Sequence, residues 1–127
     1  EEAMENVLEA VRQENKVSET SVVALSMMCG KELPSALFLL DSGAVSQYTC
    51  PSGRSFYMVA ENESRTEVCL GHHFCSCRSF LSLVLPQNLL MCRHLLALRL
   101  ALSFSSPRLS LHSLDDFSWI QTLSSLL

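Results

Sequence analysis

The chain has 127 residues, of which 48% are hydrophobic and 17% charged, with four Gly and four Pro. That size and balance fit one globular domain with its own core, and exclude a disordered tail or a small fold that depends on disulfides. A net charge of −4 excludes a global pull toward nucleic acid or an anionic membrane.

In "EEAMENVLEAVRQENKV" the residues Met4, Val7, Leu8 and Val11 recur at spacings of three and four, and Glu is concentrated where a helix dipole favours anions. The pattern predicts an amphipathic helix. A second helix is expected from a Ser18 or Thr20 cap to Gly30. A third, "LPSALFLLDSG", follows Pro34 and stops at Gly43. From Ala44 the period changes to two. "AVSQYTC", "SFYMVA" and "TEVCLG", separated by "PSGR" and "ENESR", predict three short antiparallel strands. After Cys77, "RSFLSLVL" predicts a short helix ending at Pro86, and residues 92–104 a stronger one.

The tail places Leu111, Leu114, Phe117, Ile120, Leu123 and Leu126 at a strict spacing of three. On a helix such a stripe precesses about 60 degrees per step and no single face collects it. A C-terminal helix over 105–127 is expected, started by Ser113, Asp115 and Asp116, and two roles stand open for it. It closes the core, or it docks a second chain through Phe117, Trp119, Ile120 and Leu123. The expected class is α+β in one domain over 1–127. Helices occupy 1–43, the sheet 44–71, a Cys/His module 72–104 and the last helix 105–127.

The chemistry is concentrated in "HHFCSCRSFLSLVLPQNLLMCRH". Cys75, Cys77, Cys92 and His94 are the ligand types and number of a structural zinc site. In an extended segment residues i and i+2 share a side, so Cys75 and Cys77 can face one ion. On a regular helix they would lie about 200 degrees apart. Cys92 is therefore expected at or just before a helix start, with His94 in the first turn, where free backbone amides favour a thiolate. Other readings have physical objections. A Cys75–Cys77 disulfide closes a strained ring, and four ligands in one site leave no free nucleophile or open coordination position. The zinc-deaminase elements are absent, and Cys92 to Arg99 is one residue too long for a C-x5-R phosphate loop. His72 or His73 could substitute as ligands.

Charge is distributed unevenly. Residues 1–19 carry six Glu against Arg12 and Lys16, while 68–114 hold no acid but Arg78, Arg93, Arg99 and Arg108. These arginines are either scattered and solvated or a basic face able to contact DNA directly. The N-terminus lacks the basic and then apolar run of a signal peptide, so the six cysteines are expected reduced, in cytosol or nucleus. Pro86, Gln87, Asn88, Arg93, His94 and Arg99 break the apolar stretch over 80–104, so no membrane span is expected. No G-x-x-x-x-G-K-[ST] loop is present, and catalysis is not expected.

The order C-x-C-x14-C-x-H followed by "LLALRL" resembles the SWIM-type zinc finger, in which a strand, a C-x-C turn and a helix surround one zinc. With "ALFLLD", "CPSGRSFYMV", "CSCRSF" and "CRHLLA", the likeness extends over most of residues 3–104 to the small SWIM-domain subunits of Shu-type complexes. It fades after Ser105. The resemblance implies zinc held by Cys75, Cys77, Cys92 and His94, with Arg93 standing where a Lys is familiar. It further implies a nuclear, non-enzymatic subunit that heterodimerises with a RecA-like recombinase paralogue. In that family the pair promotes assembly or stability of the strand-exchange recombinase filament on single-stranded DNA in homologous recombination, including meiosis.

Overall fold

The computed structural model describes residues 2–62, 65–70, 74–77, 91–104 and 108–126. Three helices come first: α1 (Glu2–Glu14), α2 (Glu19–Cys29) and α3 (Glu32–Asp41). In α1 the buried residues Met4, Leu8 and Val11 follow the helical period, and Glu2 and Glu5 occupy the first turn. The Ser18 side chain accepts the Ser21 amide at 3.2 Å to start α2. Gly30, at a φ of 57°, ends it by donating to the Ser26 carbonyl. The third helix starts two residues before Pro34, which therefore lies in the first turn, where a missing N–H costs nothing.

Strands β1 (Val45–Thr49), β2 (Ser55–Asn62) and β3 (Arg65–Cys69) form the expected antiparallel meander. The sheet does not end there. Residues Ser110–Ser113 form β4, which runs parallel to β1 on its free edge, giving a four-stranded mixed sheet in the order β3-β2-β1-β4. This corrects the expectation of three antiparallel strands. The spacing of three in the tail crosses a strand-to-helix boundary, which is why no helical face collects it. The last helix, α5 (Asp116–Leu126), begins only where Asp115 accepts the Ser118 amide at 2.7 Å. The short helix expected after Cys77 lies outside the described residues.

Between sheet and tail runs α4 (Arg93–Ser103), nine of whose 11 residues are buried. It packs against α1 and α3 on one side and against β1, β2 and β3 on the other, so its girth is apolar where a surface helix would be polar. Strand alternation assigns the two sheet faces. Val45, Val59 and Cys69 join the α1–α4 core. Phe56, Val68 and Cys50 form a smaller core beneath Trp119 of α5. Among the described residues, no helix is long and apolar enough to cross a membrane.

Candidate metal centre

Cys75 pairs with Cys69 in an isolated antiparallel bridge, flanked by backbone hydrogen bonds from Leu70 to the Phe74 carbonyl and from Ser76 to the Val68 carbonyl. Ser76 faces away from its two cysteine neighbours. Its hydroxyl takes the Val68 amide at 2.9 Å and donates to Glu67 at 2.8 Å. That anchor leaves Cys75 and Cys77 on the other side together. Cys92 is the N-cap residue of α4, with extended backbone and no capping duty for its side chain, and His94 follows in the first turn.

Ligand atoms of Cys75, Cys77, Cys92 and His94 all lie within 4.8 Å of one another, and all four residues are buried. The structure thus brings together the quartet expected from spacing. Burial of three thiols in one place is unfavourable for thiolates unless a cation joins them. Hydrogen bonding with Cys69 and then Cys77 pushes the Cys75 thiol well up, against the opposing influence of Cys92. Cys92 is pushed up likewise by Cys75, Cys77 and burial, while the Leu95 backbone amide pulls the other way. A divalent cation reverses the balance, because it binds the deprotonated sulfur. His94 adds an orphan: its Nδ1 is buried without a hydrogen-bond partner. Nε2 approaches Glu61 Oε1 to 3.3 Å but out of hydrogen-bond alignment. Soft sulfur donors, one imidazole and no exposed face fit a metal ion held for structure.

Glu61 was not singled out from sequence, where it falls in the polar break after β2. A signal existed: Tyr57, Val59 and Glu61 are in phase, placing an acid on the side where Val59 is buried. The Arg93 guanidinium, 2.6 Å away, holds the Glu61 carboxyl below its usual range, with burial opposing.

The four arginines considered for DNA contact have different fates. Arg78 lies outside the described residues, with His72 and His73. Arg93 pairs with Glu61 and, at 4.0 Å, with Glu32. Arg99 is nearly buried against Glu5. Arg108 lies 3.8 Å from Asp41 and covers the Phe104 ring. The acid-free stretch is thus met by carboxylates from α1, α3 and β2. The tail residues divide as well. Trp119 is 7% exposed and Leu123 packs beside it, whereas Phe117 and Ile120 are 72% and 48% exposed.

No family profile and no solved structure matches the chain. Among curated proteins, human zinc finger SWIM domain-containing protein 7 is 31% identical over 103 residues, covering 80% of this chain and 74% of that protein. The protein of the same name from Mus musculus is 33% identical over 103 residues, 80% of this chain and 68% of its own length. That from Danio rerio is 34% identical over 88 residues, 68% and 63%. A buried Cys3His quartet in SWIM order, on a chain matched across most of its length by proteins of that name, places this chain in the zinc finger SWIM domain-containing protein 7 family.

Proposed function

We propose that the chain is a zinc-stabilised, non-enzymatic subunit of a Shu-type complex. It pairs in the nucleus with a RecA-like recombinase paralogue and promotes assembly or stability of the recombinase filament on single-stranded DNA in homologous recombination. The observation that carries the zinc part is the closed quartet: four ligands, all buried, brought together from two segments of the chain. Zinc supplies a crosslink there and no labile water for chemistry. The complex and its role rest on the resemblance to SWIM-domain subunits of Shu-type complexes. Two features of the chain agree with it. Phe117 and Ile120 present apolar surface on α5, and Val23, Met27 and Phe38 do so on α2 and α3, as a chain that docks another requires. Arg93, Arg99 and Arg108 are engaged by carboxylates, so phosphate would have to displace those partners, and DNA contact falls mainly to the other subunit.

Affinity purification of the tagged chain, followed by native mass spectrometry, tests this reading. One zinc per chain and a stoichiometric RecA-like partner are expected, with no ATP hydrolysis, nuclease or thiol-exchange turnover from the subunit alone. The lone chain is expected to bind single-stranded DNA weakly. A monodisperse monomer, without partner, whose DNA affinity falls steeply with salt would establish the alternative of a direct DNA-binding zinc module.

A further inference from the structure

We propose that Glu61 is the positioning residue of the metal centre: its carboxylate accepts the Nε2–H of His94 and so presents Nδ1 to the metal. The inference rests on the zinc reading above and assigns a role to a residue outside the quartet.

Four observations converge on it. First, the register between β2 and β3 slips between Ala60 and Asn62, so that Glu61 is the extra residue of a bulge. Bulges release a side chain from the ladder and re-aim it. Here the released side chain meets the first turn of α4, with Oε1 at 3.3 Å from Nε2 of His94. Second, Arg93 Nε holds the same Oε1 at 2.6 Å while its Nη1 lies 4.0 Å from Glu32, so the carboxylate is held in place by a group other than His94. Third, His94 is 1% exposed and cannot turn to water for a partner. Fourth, a neutral imidazole carries one N–H and one lone pair, and the acceptor chosen by the first fixes where the second points. With Nε2–H on Glu61, the lone pair of Nδ1 is free for the metal. The opposite assignment would leave Nδ1–H buried with no acceptor among the described residues. Alignment of the ring is all that the Glu61 hydrogen bond still requires.

The test uses the full chain, zinc-loaded and 15N-labelled. Long-range 1H–15N spectra are expected to show a metal-bound Nδ1 and a protonated Nε2 for His94. Zinc affinity by competition with a chromogenic chelator is expected to fall about 10–100-fold in Glu61→Ala. Glu61→Gln keeps an acceptor oxygen, and is expected to retain the Nδ1-bound pattern and recover most of the affinity. Glu32→Gln removes a carboxylate from the same arginine without touching His94, and is expected to stay within about threefold of wild type. A metal-bound Nε2 in the wild-type spectrum overturns the proposal even if every Glu61 variant fails to fold. So does a Glu61→Ala affinity equal to that of Glu32→Gln, which would reduce Glu61 to a salt-bridge partner. A wild-type chain that takes up no zinc removes the zinc reading, and this role with it.

Discussion

Replacing Trp119 with Ala separates the two cores of the molecule. Trp119 meets Phe56 edge-on at 5.5 Å between ring centroids, lies under the Arg54 guanidinium at 4.8 Å and roofs the small core on the outer sheet face. Truncation of a buried Trp costs about 3–5 kcal/mol. One feature lowers that figure, since Nε1 is buried without a partner and its removal relieves about 1 kcal/mol. The expected loss is therefore about 2–4 kcal/mol, and at about 4 °C per kcal/mol for a chain of this size Tm falls by roughly 8–16 °C. Because the metal quartet belongs to the other core, zinc content is expected to be unchanged while hydrogen-exchange protection is lost in β4 and α5. Ile120→Lys, on the exposed side of the same helix, is expected to stay within about 0.5 kcal/mol. A Trp119→Ala chain that melts with wild type, or that loses its zinc along with α5, would refute the division into two cores. Since Trp119 is a core residue, a charge at Ile120 or Phe117 is the cleaner probe of partner docking.

Cys92→Ala or His94→Ala strips a ligand from a closed site whose binding energy, about 10–16 kcal/mol in small zinc domains, is coupled to folding. Such chains are expected to be insoluble or partly unfolded by near-UV circular dichroism. A soluble, cooperatively melting His94→Ala chain would contradict a structural role for the metal. Asp116 supplies a pH signature. Hydrogen bonds from Cys50 and Ser52 hold its carboxyl below the usual 3.8, with Arg54 adding to the effect. A depressed carboxylate contributes stability above its unfolded pKa and loses it as pH falls through the folded value. The stability difference between wild type and Asp116→Asn, read from urea midpoints, is therefore expected in full at neutral pH, should shrink as pH falls below about 4, and should be gone only below the depressed folded pKa. A difference that persists or grows in acid would show that the Ser52–Asp116 contact, 3.1 Å long, carries no charge-dependent stability.

What could be read from sequence was what local geometry decides. The period of Met4, Leu8 and Val11, the Ser18 cap and Gly30 specify helices through neighbours in the chain. The metal quartet was legible for the same reason. Each pair of ligands is two residues apart, which rules out a regular helix through both members of a pair: Cys75 lies in a β-bridge, and Cys92 is the N-cap residue just ahead of α4. The strand Ser110–Ser113 carries no such signal. Its residues are all exposed, and what makes it a strand is the free edge of β1. The neutralising partners of the arginines were hidden likewise, since Glu5, Glu61 and Asp41 come from sequence positions far from Arg99, Arg93 and Arg108. An acid-free stretch of sequence is not an acid-free surface.

The parallel pairing of β4 with β1 fixes an order of events on the ribosome. Residues 45–69 can zip as a meander as soon as they emerge, because each turn joins neighbours. The outer edge of β1 then has nothing to pair with until residues 110–113 have been made, when Leu114 can donate to the Thr49 carbonyl at 2.9 Å. During that interval the nascent chain displays a bare row of amides and carbonyls, with Tyr48 not yet covered by the His112 ring that stacks on it at 4.5 Å. Synthesis of the intervening residues takes seconds, ample time for a second nascent chain to add its own strand there. A polysome crowded with this message is therefore where edge-to-edge aggregation would begin, and an early stop codon ahead of residue 110 would leave that edge permanently open.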